Sequence, residues 1–157
     1  MPESKGLDYP TFDSADIEVS VERTVFQGFF TMKSYQFRHR LFRGGWSELV
    51  TREIFERGDA VVVLPFNPQT DEVVLVEQFR FGSMLSSKTP WLLEAVAGMV
   101  GEDEEPQQVA RREAEEEAGI TLGRLMPVLS YLSSPGGTSE RIHVYLGELT
   151  QPVQAGV

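Results

Sequence analysis

Apolar and polar positions alternate through the first third of the chain. Ile17, Val19 and Val21 stand against Glu18, Ser20 and Glu22, and this two-residue period predicts a strand over 16–26. Gly28 breaks it. Residues 29–42, rich in aromatics with Arg and His between them, predict a second and longer strand. Gly44-Gly45 is a hairpin turn signal, and 46–56 alternates again. Three antiparallel strands in a meander follow, a sheet marginal by itself that should pack on something. Arg57-Gly58-Asp59 is the candidate boundary. Beyond it, 60–66 is almost wholly apolar, as in a buried strand. A turn over 67–71 holds Pro68, and 72–81 reads as the return strand. A loop of small and polar residues over 82–90 precedes a short strand at 91–96. Residues 121–124 connect onward to strands over 125–132 and 141–149, joined by the loop Ser133-Ser134-Pro135-Gly136-Gly137-Thr138. Residues 1–14 read as a mobile polar arm and 150–157 as a polar tail.

Between the strand at 91–96 and the connector lies one helical stretch. It opens on a glycine loop, 98–101, and runs through acids to Pro106, which suits a first helical turn. Acids before that turn suit the positive end of the helix dipole. The helix should reach about Ala118 and stop at Gly119, which tolerates a left-handed exit. Glu113, Glu116 and Glu117 sit at i, i+3 and i+4 and so share one face. Like charges so placed repel by roughly a few tenths of a kcal/mol per pair. Two readings stand at this point. The face is simply solvated, or a hard cation such as Mg²⁺ or Mn²⁺ neutralises it.

Composition narrows the setting. The chain is long enough for one domain with a real core, or a small domain with an appendage. No apolar run approaches the length of a membrane span, and the first residues lack the basic and apolar regions of a secretion signal. Cys is absent, which removes disulfides and thiolate metal sites. A cytoplasmic location and no membrane partner follow as expectations. The net charge of −10 argues against sequence-independent nucleic-acid binding. It leaves room for a small phosphorylated ligand, because local groups and a divalent cation outweigh the global field.

The residues from Gly98 to Ile120 form a fixed pattern: Gly98, Glu104, Arg112-Glu113-Ala114, Glu116-Glu117, Gly119-Ile120. It resembles the signature of the Nudix hydrolases, which cleave nucleoside diphosphates linked to another group, and every fixed position is filled. Arg-Glu-Ile-Phe-Glu-Arg-Gly at 52–58, Glu-Gln-Phe-Arg at 77–80, Pro-Trp-Leu-Leu-Glu-Ala-Val-Ala-Gly-Met at 90–99 and the loop around Pro135 are similar to the bacterial ADP-ribose pyrophosphatase branch.

The resemblance implies an α+β Nudix fold, a mixed sheet between helices, with an N-terminal three-stranded antiparallel sheet domain at 15–57 and a catalytic domain at 58–157. It implies that the first domain is exchanged between two subunits of a homodimer. It implies Mg²⁺-dependent hydrolysis of ADP-ribose to AMP and ribose 5-phosphate, with Mn²⁺ as the other candidate ion. Metal ligation falls on Glu113, Glu117 and the Ala97 carbonyl, with Glu116 close by. Arg112 and Glu104 fall on the pair that braces loop against helix. Phe29 and Phe30 would approach adenine, while Arg52, Glu53 and Arg57 would reach in from the partner's meander. Arg80 would contact phosphate. Met99, Ser134, Pro135 and Gly136 would line the ribose side, and Glu140 would hold a sugar hydroxyl. His39 and His143 are read as structural.

The branch is usually longer. It carries a mobile acidic loop that supplies the water-activating glutamate, followed by a strand and a helix, and these would lie beyond Val157. The expectation is therefore that the C-terminal part of the catalytic domain is missing. Two other functions stay open: hydrolysis of another sugar nucleotide or dinucleotide, and a module that binds ADP-ribose without cleaving it.

Overall fold

The computed structural model describes residues 12–153, and the chain divides into two compact units, Met1–Glu56 and Arg57–Val157. The first is the meander. Asp13 caps a single 3-10 turn, Ser14–Asp16, by accepting from the Ala15 N–H at 2.8 Å, while its own N–H donates to the Asp16 carboxylate at 3.1 Å. The Phe12 ring lies 5.2 Å from that of Phe42. Residues 12–14 of the predicted arm thus have definite partners; 1–11 lie outside the described residues. Strands β1 (Ile17–Gln27), β2 (Thr31–His39) and β3 (Val50–Glu56) pair antiparallel in that order.

Two of these strands are shorter than the sequence predicts. At 29–42, the Gly28 N–H donates to the Phe30 carbonyl at 2.9 Å, so Phe29 and Phe30 form a turn instead of a strand. At the other end only Arg40 and Trp46 pair, across a turn in which Gly44 and Gly45 take φ of 83° and 78°. Trp46 holds the Arg40 and Arg38 guanidiniums over its ring at 4.2 and 5.0 Å, which takes 46–49 out of the third strand. Aromatic content, strand-like by composition, serves ring contacts here. Every residue of β1 is exposed, including the alternating Ile17, Val19 and Val21.

The second unit contains β4 (Ala60–Asn67), β5 (Glu72–Val73), β6 (Val76–Phe79), β7 (Trp91–Glu94), β8 (Val96–Met99), α1 (Pro106–Ala118), β9 (Leu122–Leu132) and β10 (Arg141–Leu149). Among the described residues it is a five-stranded mixed sheet with one α-helix, plus a β6–β7 hairpin. β4 is central. β10 runs parallel to one side of it, with β9 antiparallel beyond; β8 and then β5 share its other side. Pro65 sits inside β4, where a missing N–H would ordinarily cost a ladder bond. It falls in the seam between β8, whose pairing ends at Val63, and β5, whose pairing begins at Phe66. There its carbonyl accepts from the Val74 N–H at 3.0 Å.

The predicted return strand at 72–81 is therefore two strands, β5 and β6, which belong to different sheets. The apolar run Val73-Val74-Leu75-Val76 hides this break. Likewise 91–96 splits into β7 and β8, and β8 continues through Gly98 to Met99, so strand occupies the start of the predicted glycine loop. A 3-10 turn, Phe81–Leu85, occupies part of the predicted loop, and β9 begins at Leu122, inside the predicted connector. The helix and β10 have the predicted bounds.

α1 is mostly charged but carries a narrow apolar stripe, Val109, Ala110 and Ala114, that is fully buried. It packs on β4 and β8, where Val61, Val63 and Val96 complete the core with Ile120, Leu122, Tyr145 and Leu149. Burying Val109 contributes roughly 2 kcal/mol. Gly119 ends the helix at φ 64°, and its N–H reaches the Glu115 carbonyl at 3.0 Å. Arg111 ties the helix to β9 by donating to the carbonyls of Leu122 and Gly123. Among the described residues no helix is long and apolar enough to cross a membrane.

Candidate active site

α1 and β8 build the site. β8 pairs with β4 on one edge, with Val62 opposite Ala97. The Ala97 N–H does not join that ladder. It donates at 3.3 Å to Oε2 of Glu117 on the helix. In an antiparallel ladder the N–H and carbonyl of one residue face the same edge, so the Ala97 carbonyl also lies on the edge that meets the acids. Glu117 Oε1 accepts from Gln78 Nε2 at 2.6 Å. Glu113, one turn earlier, lies against Gly98: a Cβ at that glycine would collide with its Cγ, Cδ and Oε1. Two carboxylates at i and i+4 thus converge on the backbone of Ala97 and Gly98.

Arg112 fixes the flank. Its Nε and Nη2 donate to both oxygens of Glu104 at 3.3 and 3.2 Å. Its Nη1 donates to Glu113 at 2.7 Å and to Glu116 at 3.3 Å. Glu104 Oε2 in turn accepts from the Gly101 N–H at 3.0 Å, which pins the loop between strand and helix. The Gly101 N–H first, and the Arg112 guanidinium second, hold the Glu104 carboxyl below its ordinary pKa. Glu104 in the same way holds Arg112 in its charged form.

The chemistry of the donor set fits a divalent cation. Two carboxylates and a backbone carbonyl are hard oxygen donors suited to Mg²⁺ or Mn²⁺. Among the described residues no three His, Asp or Glu side chains cluster closely enough to hold an ion by themselves; the Ala97 carbonyl adds a further oxygen beside the two carboxylates. Glu116 turns toward Arg112 and solvent.

The remaining predicted residues fall into two groups. Phe29, Phe30, Arg52 and Glu53 belong to the N-terminal unit. Phe29, 87 % exposed, stacks edge to face on Phe30 at 4.7 Å, and Phe30 on Phe55 at 4.9 Å. With Phe26 and Met32 these rings line an apolar hollow of about 390 Å³. Arg52 and Glu53 are exposed on β3.

In the C-terminal unit, Arg80 is held by Glu94 through Nε at 2.9 Å and Nη2 at 2.8 Å, a pairing that keeps it charged. Met99, Ser134, Pro135 and Gly136 are exposed. Glu140 is nearly buried, at 7 %, and both its oxygens are engaged: Ser133 Oγ donates to Oε2 at 2.6 Å, and Arg57 Nε lies 3.1 Å from Oε1. Arg57 therefore meets Glu140 within one chain. His143 lies 3.7 Å from Asp59, and His39 Nδ1 is 2.8 Å from the Arg40 carbonyl. Sequence reasoning gave no role to Gln78, Glu94 or Ser133; each lies in a stretch marked by resemblance, but its contact is visible only in the structure.

A mixed sheet, an open strand edge at a glycine and a helix whose acids converge on that edge define the class. Residues 56–156 match the family model for the NUDIX domain, and the chain belongs to the Nudix family of hydrolases. Its relatives are more particular. It is 54% identical over 147 residues to the ADP-ribose pyrophosphatase of Escherichia coli (strain K12), covering 94% of this chain and 70% of that protein. It is 48% identical over 149 residues to the ADP-ribose pyrophosphatase of Haemophilus influenzae, covering 93% and 69%. A solved ADP compounds hydrolase superposes with a TM-score of 0.68 at 18% identity, over 94% of this chain and 75% of that one, a likeness of fold.

Proposed function

We propose that the protein hydrolyses the diphosphate of ADP-ribose to AMP and ribose 5-phosphate, with Mg²⁺ as the preferred cation and Mn²⁺ as a substitute. The observation that carries the reading is the convergence of Glu113 and Glu117 on the Ala97–Gly98 edge, braced by Arg112 and Glu104. The substrate is supported by the two relatives named above. In the reaction one water adds to one phosphorus and the bridging oxygen leaves with the other phosphate. Glu113, Glu117 and the Ala97 carbonyl would hold the cation, with Glu116 close by. A divalent ion held there would make a bound water more acidic and relieve charge on the departing phosphate.

The chain's own residues do the placing. Arg80 exchanges Glu94 for a phosphate oxygen, a charge-assisted contact of the same kind. Phe29 offers its open face to adenine, which stacks on aromatics whatever its edge carries, and Phe30 backs it. Met99 and the exposed stretch 134–136 line the ribose side. Glu140, steadied by Ser133 and Arg57, has lone pairs left to accept from a sugar hydroxyl. Arg52 and Glu53 act from the meander of a second copy, with the N-terminal sheets exchanged in a homodimer. The exposed apolar positions of β1, Ile17, Val19 and Val21 among them, support that assembly.

The test combines a substrate panel with one substitution. ADP-ribose should be cleaved with a higher kcat/KM than GDP-mannose or NADH, and chromatography should show AMP and ribose 5-phosphate. Glu117→Gln at saturating Mg²⁺ should lose at least about a hundredfold in rate, the upper range for groups that support a bound metal. Full activity in that variant ends the metal assignment. ADP-ribose that binds tightly and is recovered intact marks a binding module instead.

A further inference from the structure

The β6–β7 hairpin has two unlike faces. Phe79, Trp91 and Leu93 are exposed on one, while Val76, Gln78, Leu92 and Glu94 are half-buried on the other. Alternation puts Arg80, just past β6, on the second face as well. From that face Gln78 donates to Glu117 Oε1 at 2.6 Å, opposite the Ala97 N–H on Oε2. Each carboxylate oxygen then holds one donor and keeps acceptor capacity. Arg80, a stronger donor two residues along, gives its guanidinium to Glu94.

We propose that Gln78 is a positioning residue for the cation site: its neutral amide holds the Glu117 carboxylate against the Ala97 edge, and Glu94 keeps the neighbouring Arg80 from taking that place. This rests on the reading of Glu117 as a cation ligand. The chemistry favours an amide at this position. A guanidinium would neutralise the charge that a divalent ion needs, and an apolar side chain would let the carboxylate swing away. Hydrogen-bonded supports of this kind set the orientation of metal-binding side chains, and losing one weakens metal binding by about 10–100-fold.

The experiment uses Mn²⁺ alone as the probe, titrated into the full chain and followed by electron paramagnetic resonance. Gln78→Met keeps the length of the side chain and removes the donor. It should weaken Mn²⁺ binding by about tenfold or more. The Mg²⁺ concentration for half-maximal rate should rise by the same factor, while KM for ADP-ribose at saturating Mg²⁺ stays within about twofold. A merely structural role for Gln78 would not produce that split. Gln78→Asn, one methylene shorter, should show the same loss and carries the test if the Met variant does not fold. Glu117→Gln runs in parallel. If it loses Mn²⁺ and the folded Gln78 variants bind as wild type, the proposal is overturned and the site stands. If Glu117→Gln binds Mn²⁺ as wild type, the site reading fails, and the proposal with it.

Discussion

Gly98→Ala separates the architecture of the site from the stability of the fold. Gly98 does not have a positive φ, so its backbone suits any residue and the substitution acts through space alone. The added methyl would meet Glu113 at Cγ, Cδ and Oε1, and no backbone atom is among its nearest contacts. The obstacle is therefore one side chain, Glu113, 14 % exposed; turning it aside costs about 0.5–1.5 kcal/mol if it leaves its rotamer well. Its 2.7 Å contact with Arg112 would be lost, but Arg112 keeps Glu104. For a chain of this length, 1 kcal/mol moves Tm by about 2–4 °C. A melt by differential scanning fluorimetry should thus fall by only a few degrees.

Activity should fall far more. With Glu113 swung out, the helix presents a single carboxylate to the Ala97 edge, and kcat/KM for ADP-ribose at saturating Mg²⁺ should drop by about a hundredfold or more. Gly82→Ala is the matched control, since a Cβ there meets nothing within 4 Å, and it should leave rate and Tm nearly unchanged. A Gly98→Ala enzyme within threefold of wild type would refute the reasoning, for it would mean that the position of Glu113 over Gly98 does not matter to the chemistry. Gross unfolding of that variant would refute the claim that a flexible side chain absorbs the clash.

Glu104→Gln probes the brace. The Glu104 pKa is lower in the folded chain, by the Gly101 N–H and then Arg112, so its stabilisation is complete above the unfolded value of about 4.3 and is lost as pH falls through the folded value. Stability measured from pH 6 down to pH 3 should decline less steeply in Glu104→Gln than in the wild type, and equal slopes would remove the brace from the account. Ser133→Ala takes a 2.6 Å donor from the nearly buried Glu140. It should cost about 1–3 kcal/mol, seen in a urea melt, and an unchanged midpoint would show that Ser133 contributes nothing to holding Glu140.

How far the sequence could be read depends on how far apart the cooperating residues lie in it. α1 was legible end to end, because Pro106 and Gly119 punctuate it and the acids repeat at helical spacing. β10 was legible from its alternation. Glu104 and Arg112, eight residues apart, belong to the same motif and meet as read. The pairs that steady the site are of another kind. Gln78 is 39 residues from Glu117, and Glu94 reaches Arg80 only because the chain reverses through the hairpin. Neither periodicity nor composition marks a neutral amide on a short strand. The break at 74–75 was hidden for a related reason: its cause is Pro65 and the seam on β4, and the Val-Val-Leu-Val run around it carries no turn residue.

Ala97 is the extreme case of this limit. Its part in the site comes from an N–H and a carbonyl, groups that nearly every residue has, so no choice of side chain at 97 announces it. The resemblance named it, and register supports the reading: Val62 opposite Ala97 is a pair that exchanges no ladder bonds, which turns both backbone groups toward the helix. One residue along, the ladder resumes, and the position facing Glu113 has room for no side chain at all. The glycine in the pattern is thus the readable trace of the proposed backbone ligand beside it. It marks the place where helix and strand come close enough for two carboxylates to share an edge with a carbonyl.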